Sequence, residues 1–251
     1  MFGQNEVKSP IHWAGLWYVQ EVFLTIQGEG PLTGTPAVFV RMRHCNLRCT
    51  FCDTDFTTGT LDLTTDKLLE QIEVARSNAK SAADLVVITG GEPMLQDIGR
   101  LIPEIITRLG MRVQVETAGT VWPESFYQNA ITHYLHAGDG KLTLVCSPKT
   151  PKVHPRMQAT CRDWKYIISS KHTRDAADGL PTQGTQPGVL DARLYRPAFA
   201  NDAIWLQPCE EWADGVVDAE ATKRNVELAC TLAMRHGYRL SLQTHKLLGL
   251  P

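Results

Sequence analysis

Short apolar runs rich in β-branched residues recur along the chain, and stretches long enough for a helix or a loop separate them. Runs of this length and composition predict strands, several of them buried on both faces. The eight predicted strands cover residues 18–24, 37–42, 85–89, 112–116, 142–146, 164–168, 203–206 and 238–242.

Three segments between these runs show a helical period. Residues 67–78 follow a Thr-Thr-Asp cap, and residues 98–109 are helical if Pro103 lies in the first turn or kinks the helix. Residues 220–236 are the clearest case, with Gly237 as the stop. Their predicted buried face consists of Val226, Ala229, Cys230, Ala233 and Met234.

The alternation of strands and helices predicts an α/β fold with a mainly parallel sheet. Polar residues follow most of the predicted strands, which would gather them on one face, as in a β/α barrel. The sequence shows fewer strand–helix units than the eight of a closed β/α barrel, so we expect a partial barrel. We interpret the chain as one domain, 1–251, with an N-terminal extension of about 1–16 and an irregular loop or lid at about 169–201.

Charge and composition exclude several classes of protein. The 251 residues carry a formal net charge of −2, so nucleic acid and membrane surfaces are not expected partners. The N-terminus lacks the pattern of a secretory signal, and no apolar stretch reaches the roughly 18 residues of a membrane span. A cytoplasmic location follows, where the seven cysteines would be reduced and available for metal or catalysis.

Three of those cysteines form a C-x3-C-x2-C loop: Cys45, Cys49 and Cys52. Three thiolates can hold a [4Fe–4S] cubane and leave its fourth iron open, as a catalytic metal site requires. Structural zinc is the alternative, with the adjacent His44 as a fourth ligand. The other four cysteines lack such spacing and are interpreted as packing residues, with Cys230 on the apolar face of a helix.

The cysteine loop, with Phe51 before its last cysteine, resembles the signature of the radical S-adenosylmethionine (SAM) superfamily. A Gly-Gly-Glu-Pro turn at 90–93 resembles that superfamily's second motif, which contacts the SAM amino group. The resemblance implies a partial (β/α)6-type TIM barrel, with SAM chelated by the open iron. A lone Gly-Gly-x-Pro would be only a turn, but the two motifs occur here in the expected order.

Five further motifs narrow the resemblance to the 7-carboxy-7-deazaguanine synthase family of the queuosine and 7-deazapurine pathway. They are Gln-Gly-Glu-Gly at 27–30, Cys-Asp-Thr at 52–54, Glu-Thr-Ala-Gly at 116–119, Ser-Pro-Lys at 147–149 and Gln-Thr-His-Lys at 243–246. The resemblance implies a lyase that converts 6-carboxy-5,6,7,8-tetrahydropterin to 7-carboxy-7-deazaguanine with loss of ammonia. It also implies Mg²⁺ dependence and a homodimer, and a flavodoxin or ferredoxin is a plausible electron donor.

The family pattern also implies residue roles. The implied substrate contacts are Gln27, Gly28, Glu29, Gly30, Arg41, Thr89, His245 and Pro251. The implied SAM contacts are Phe51, Asp53, Gly91, Glu92, Ser147, Lys149 and Gln207. Thr54 is the implied Mg²⁺ ligand, although Asp53 by itself would look the better one.

The residue types suit these roles, and each also has a simpler interpretation. Arg41 can bind a carboxylate with both guanidinium arms or form a surface ion pair. Thr54 can bind Mg²⁺ or cap the following segment. The glycines of 27–30 can let the backbone approach a flat ring or simply form a tight turn.

Lys149 and the last residues of the sequence also have two interpretations each. Lys149 can contact SAM or remain a solvated surface lysine. The family pattern places His245 and the carboxylate of a terminal proline, here Pro251, at the pterin. Terminal residues usually fray, but three leucines at 247, 248 and 250 are expected to pack this segment down.

Two other functions remain as alternatives. A radical SAM activase of a glycyl radical enzyme would act on a protein loop and would need no Mg²⁺. A non-catalytic regulator would bind zinc or a cluster with a closed fourth ligand and would not cleave SAM.

Overall fold

One large, mostly parallel sheet forms the centre of the computed structural model. The structure describes residues 7–52, 61–78, 80–135, 138–183, 185–186, 193–198 and 201–251. The strands of the large sheet are β1 (Trp17–Ile26), β2 (Pro36–Met42), β3 (Leu61–Leu63), β4 (Leu85–Gly90), β5 (Arg112–Thr117), β6 (Leu142–Cys146), β7 (Asp163–Ile168), β8 (Ala203–Pro208) and β11 (Arg239–Leu240). A separate hairpin pairs β9 (Trp212–Ala213) with β10 (Val216–Val217).

The spatial order of the large sheet is β11-β8-β7-β6-β5-β4-β2-β1-β3. Seven of the described strands pair in parallel: β2, β4, β5, β6, β7, β8 and β11. Beyond β2, the strands β1 and β3 extend this edge of the sheet in antiparallel pairing. All eight predicted strands are confirmed. The short strands β3, β9 and β10 were not predicted, because two or three residues carry too little periodicity.

Four of the five described α-helices come between successive strands of the large sheet along the chain, and the fifth follows the last strand. The helices are α1 (Thr65–Asn78), α2 (Leu101–Glu104), α3 (Pro155–Thr160), α4 (Ala219–His236) and α5 (Thr244–Leu247). The α2 helix continues into wider π-type turns at Ile105–Leu109, and a second π-type helix spans Tyr127–Leu135. Pro103 lies in the first turn of α2, one of the two predicted arrangements. Among the described residues, no helix is both long and apolar enough to cross a membrane.

The two faces of the parallel sheet bury different clusters. The outer face packs against the helices in a large apolar core that includes Val38, Val40, Val86 and Ile88. The inner face holds a much smaller cluster around Ala37, Leu85 and Val87, with Phe39 against it.

Because successive side chains alternate between faces, the inner face of β2 runs Ala37, Phe39, Arg41, and that of β4 runs Leu85, Val87, Thr89. Both rows are apolar at the N-terminal end and polar at the C-terminal end. The parallel pairing sets Arg41 directly beside Thr89.

The face that α4 buries differs from the prediction. Helix α4 begins after the Asp218 cap and ends at Gly237, whose φ is +73°, as its pattern predicts. Met234, however, is 81% exposed, and Cys230 is only partly buried. The predicted burial of Ala229 and Ala233 is confirmed, and the rest of the buried face is formed by Ala221, Asn225 and Leu232. The prediction missed Asn225, a polar residue that bonds the Cys209 carbonyl and Glu211 and so belongs to the interior.

Candidate functional site

A cavity of about 500 Å³ opens at the C-terminal ends of the parallel strands. Its walls bring together most of the residues predicted from separate motifs. Those that line it are Gln27, Glu29, Arg41, Cys45, Cys49, Phe51, Cys52, Thr89, Gly91, Ser147, Lys149, Gln207, His245 and Pro251. The parallel strands end at one edge, which explains how the motifs that follow them share one wall. Gln27 and Glu29 follow the antiparallel β1 and reach the cavity from the opposite end of the strands.

Five predicted residues are not on that wall. Asp53 and Thr54 lie outside the described residues. Gly28 and Gly30 lie behind the wall, where Gly30 N–H donates to Ser241 Oγ at 2.8 Å. Glu92 is completely buried.

The Glu92 side chain stabilises the turn rather than facing the cavity. Its carboxylate accepts hydrogen bonds from the Thr117 hydroxyl (2.6 Å), the Ala118 amide (2.8 Å) and the Met94 amide (3.0 Å). Burial raises the pKa of Glu92, and these donors oppose the shift. Three protein donors therefore engage this carboxylate, and its contact with the SAM ammonium stays a prediction. The neighbouring Gly91 is the part of the motif that reaches the cavity.

Backbone contacts fix the cysteine loop against the Gly-Gly-Glu-Pro turn. Gly91 N–H donates to Met42 O at 3.0 Å, and Glu92 N–H donates to His44 O at 2.9 Å. Gly90 has a φ of +119°, and a Cβ there would lie 2.2 Å from Met42 O. From the other side, the N-terminal extension pairs with the loop through Lys8 N–H and Cys45 O at 2.8 Å.

A buried ionic network at the base of the cavity was not predicted from the sequence. The Lys165 ammonium, 6% exposed, contacts the Glu29 carboxylate and lies 3.5 Å from Glu116 Oε2. Gln207 and Gln243 donate to Glu29 Oε1 at 3.1 and 2.8 Å. Gln27 donates to Glu116 Oε1 at 2.9 Å. One signal was available: Lys165 is a lysine within the apolar strand sequence Asp-Trp-Lys-Tyr-Ile-Ile.

The network keeps its members charged. Burial alone would raise the pKa of Glu29, but the Lys165 charge and the hydrogen bonds from Lys165 and Gln243 outweigh it and lower that pKa to about 2. Burial alone would lower the pKa of Lys165, but the Glu116 and Glu29 charges raise it instead. The base of the cavity therefore presents two carboxylates and one ammonium in fixed positions.

Two further cations reach the cavity wall. Arg41 pairs with Glu21 at 3.2 Å, and the two side chains are 28% and 49% exposed, so the surface ion pair expected as the alternative is present. Arg41 also lines the cavity. Lys149 donates to Ser147 Oγ and lies 5.6 Å from the centre of the Phe51 ring. Burial lowers the pKa of Lys149.

Hydrogen bonds rather than leucines hold the last residues at the cavity. Leu247 and Leu248 are 75% and 62% exposed, so the expectation that they pack the segment down is wrong. Thr244 N–H instead donates to Gly28 O at 3.2 Å, and Thr25 donates to Pro251 O at 2.9 Å. A Cβ on Gly28 would lie 2.0 Å from His245 Nδ1, so this glycine allows the imidazole its position.

Comparison with known proteins identifies the family. Residues 39–145 match the Radical SAM superfamily. A 7-carboxy-7-deazaguanine synthase from Rhodospirillum rubrum is 40% identical, over 100% of both chains. One from Rickettsia prowazekii is 34% identical, over 100% of this chain and 96% of its own. The chain belongs to the 7-carboxy-7-deazaguanine synthase family. The crystal structure of QueE from Escherichia coli has the same fold, with a TM-score of 0.55 at 21% identity over 90% of this chain and 93% of that one.

Membership of this radical SAM family implies a [4Fe–4S] cluster and SAM. The cysteine loop supplies three thiolates at the cavity wall, and a cubane takes cysteine thiolates, each on a different iron. Burial raises the pKa of the Cys45 thiol to about 12, and a bound metal cation favours the thiolate form.

Proposed function

We propose that the chain converts 6-carboxy-5,6,7,8-tetrahydropterin to 7-carboxy-7-deazaguanine and ammonia, with a [4Fe–4S] cluster, SAM and Mg²⁺. The observation that carries the proposal is the shared cavity, where the cysteine loop faces the residues of five other motifs. The chain is 40% and 34% identical to two 7-carboxy-7-deazaguanine synthases over its whole length. This similarity supports the pterin as substrate over the protein loop of an activase.

The charges on the wall suit the two ends of this substrate. A tetrahydropterin ring carries amino and N–H donors, and Glu29 and Glu116 are carboxylates on the cavity wall that can accept hydrogen bonds from such donors. Its carboxylate needs a cation. Arg41 is suited to this role because its partner Glu21 is exposed, and an exposed ion pair contributes little and is readily exchanged. Thr89, beside Arg41, adds a hydroxyl.

Residues near the cysteine loop suit SAM. When bound, the cluster and SAM supply the electron and the radical chemistry, and the chain positions the reactants and excludes water. Lys149 offers a cation for the SAM carboxylate, with Phe51 and Ser147 beside it. Within the described residues, the buried Gln207 Oε1 has no hydrogen-bond partner, which is a place for a donor from a bound ligand.

A turnover assay tests the reaction. Anaerobic protein with a reconstituted cluster is mixed with SAM, a one-electron reductant, Mg²⁺ and the tetrahydropterin. The mass of the product is then measured by mass spectrometry. The expected product is lighter than the substrate by one ammonia and requires every component. Cys49→Ala is the matched control and should give none. SAM cleavage without pterin conversion would favour the activase and contradict the substrate.

Thr54 as the Mg²⁺ ligand is a separate part of the proposal and has its own test. A hydroxyl beside the substrate carboxylate suits an ion that keeps most of its waters. Thr54→Ala should raise the Mg²⁺ concentration needed for half-maximal turnover, and Thr54→Ser should restore it. Thr57→Ala serves as the control. An unchanged Mg²⁺ response in Thr54→Ala would remove this residue from the site.

We also propose a homodimer and a flavodoxin or ferredoxin as electron donor. The exposed Leu247 and Leu248 of α5 supply apolar surface that a second copy would cover. Sedimentation equilibrium should therefore give twice the mass of one chain, and Leu248→Glu should lower it. A single-chain mass at micromolar concentration would contradict the dimer.

A further inference from the structure

Thr185 and Gln186, in the 169–201 segment, contact the cysteine loop. Thr50 N–H donates to Thr185 O at 3.0 Å, and Thr185 N–H donates to Lys149 O at 3.3 Å. Thr185 is only 6% exposed. The segment is therefore anchored between the cysteine loop and the loop after β6.

Both side chains reach the sulfur of Cys49. Gln186 Nε2 lies 3.3 Å from Cys49 Sγ, and Thr185 Oγ1 lies 3.3 Å from the same atom. The orientation of the Gln186 amide follows from its other partner. Arg48 N–H donates to Gln186 Oε1 at 2.7 Å, so the NH2 group must be the end that faces the sulfur.

The charge of Cys49 decides how these contacts are used. The Thr185 hydroxyl has one proton and two possible acceptors, Cys49 Sγ and Lys149 O at 3.1 Å. A cysteine that binds iron is a thiolate, and a charged acceptor binds a donor more strongly than a neutral carbonyl does. Gln186 has two N–H groups, one for the sulfur and one for Thr185 Oγ1 at 3.0 Å. A liganded Cys49 thus accepts from both side chains.

We propose that Thr185 and Gln186 are positioning residues whose hydrogen bonds to the Cys49 thiolate raise the reduction potential of the cluster. Reduction adds negative charge to the cluster and its thiolates, and donors to the sulfur stabilise the reduced form more than the oxidised one. The inference rests on the proposed cluster, and it assigns a role to part of the 169–201 segment.

The test measures the potential of the cluster, which a purely structural role would not move. Thr185→Val and Gln186→Met each remove one donor and keep the side-chain size. Each should make reduction about tenfold less favourable, since a hydrogen bond to a charged group contributes on this scale. A tenfold change is 59 mV for a one-electron couple. Thr185→Ser keeps the hydroxyl and should retain the wild-type potential.

The control is Thr182→Val, because Thr182 bonds Thr173 on the exposed side of the same segment. Its potential should equal that of the wild type. A cluster that loads normally in Thr185→Val and Gln186→Met with an unchanged potential overturns this inference alone. A wild-type chain that binds no cluster overturns the proposed function as well.

If neither variant loads a cluster, the wild type itself provides the test. Exchange of H2O for D2O should shift the Fe–S(Cys) stretching bands in its resonance Raman spectrum. The shift should exceed that of Gln186→Leu, or of any other loaded variant at this position that has no exchangeable N–H group. Bands that do not move in D2O overturn the inference.

Discussion

The Lys165 ammonium contacts the Glu29 carboxylate at the base of the cavity, although the two residues lie 136 positions apart in the sequence. Lys165 is on the inner face of β7, and Glu29 follows β1. Glu116 on β5 lies on the other side of the ammonium at 3.5 Å. One cation therefore separates two carboxylates that would otherwise face each other.

Removal of this cation should destabilise the fold. Lys165→Met leaves two mostly buried carboxylates without their cationic partner, and breaking a buried ion pair in this way costs about 3–5 kcal/mol. The control is Lys171→Met, because Lys171 pairs with Glu211 at 2.7 Å but is 59% exposed, and its loss should cost less than about 1 kcal/mol. Urea unfolding measures both. Equal losses for the two variants would contradict the importance of the buried network.

The pH dependence of stability should reveal Glu29. Its pKa falls from 4.5 to about 2 on folding, because the Lys165 charge and the hydrogen bonds outweigh burial. The folded pKa is the lower one, so the contribution is complete above about pH 4.5 and is lost as the pH falls toward 2. Glu29→Gln should flatten the fall in unfolding free energy across this window, by about 3 kcal/mol in total. Glu70→Gln, in an exposed pair, should retain the wild-type slope.

The large elements and the location of the site could be predicted because both depend on local pattern. A strand buried on both faces is a continuous apolar run, and the residues after it fall at one edge of a parallel sheet. Thus Cys45, Gly91, Ser147 and Gln207 could be assigned to one wall without knowledge of any contact.

What could not be predicted depends on distant partners. Lys165 looks like an isolated charge in an apolar strand until Glu29 and Glu116 are placed beside it. Glu92 lies in a recognisable motif, but which of its groups faces the cavity depends on Thr117. The contact of Gln186 with Cys49 spans 137 residues, and the irregular composition around Gln186 carries no period to indicate it.

Gly90 should tolerate no side chain. A Cβ there would lie 2.2 Å from Met42 O and 2.4 Å from Met42 N, backbone atoms that are fixed by the pairing of β2 with β4. Gly110→Ala is the matched control, because Gly110 also has a positive φ, +65°, but its new methyl group would meet no described atom within 4 Å. Gly110→Ala should lower the free energy of unfolding by about 1–2 kcal/mol, from backbone strain alone. Gly90→Ala should lose more stability and bind less iron, as thermal unfolding and iron analysis would show. Equal stability of the two variants would contradict the close approach.

Gly28 should affect the substrate through His245. Gly28→Ala places a methyl group 2.0 Å from His245 Nδ1, so the imidazole must move away from its position on the cavity wall. The expected result is a higher KM for the pterin with an unchanged iron content, because the cysteine loop is not touched.

A double-mutant cycle separates this effect from general damage. His245→Ala removes the ring that the methyl group would strike, although the His245 backbone nitrogen stays 2.9 Å away. Gly28→Ala should therefore have a smaller effect in the His245→Ala background than in the wild type. Both the increase in KM and the loss of stability should be smaller. Effects that simply add would show that Gly28 acts independently of His245, for example through its carbonyl bond from Thr244 N–H.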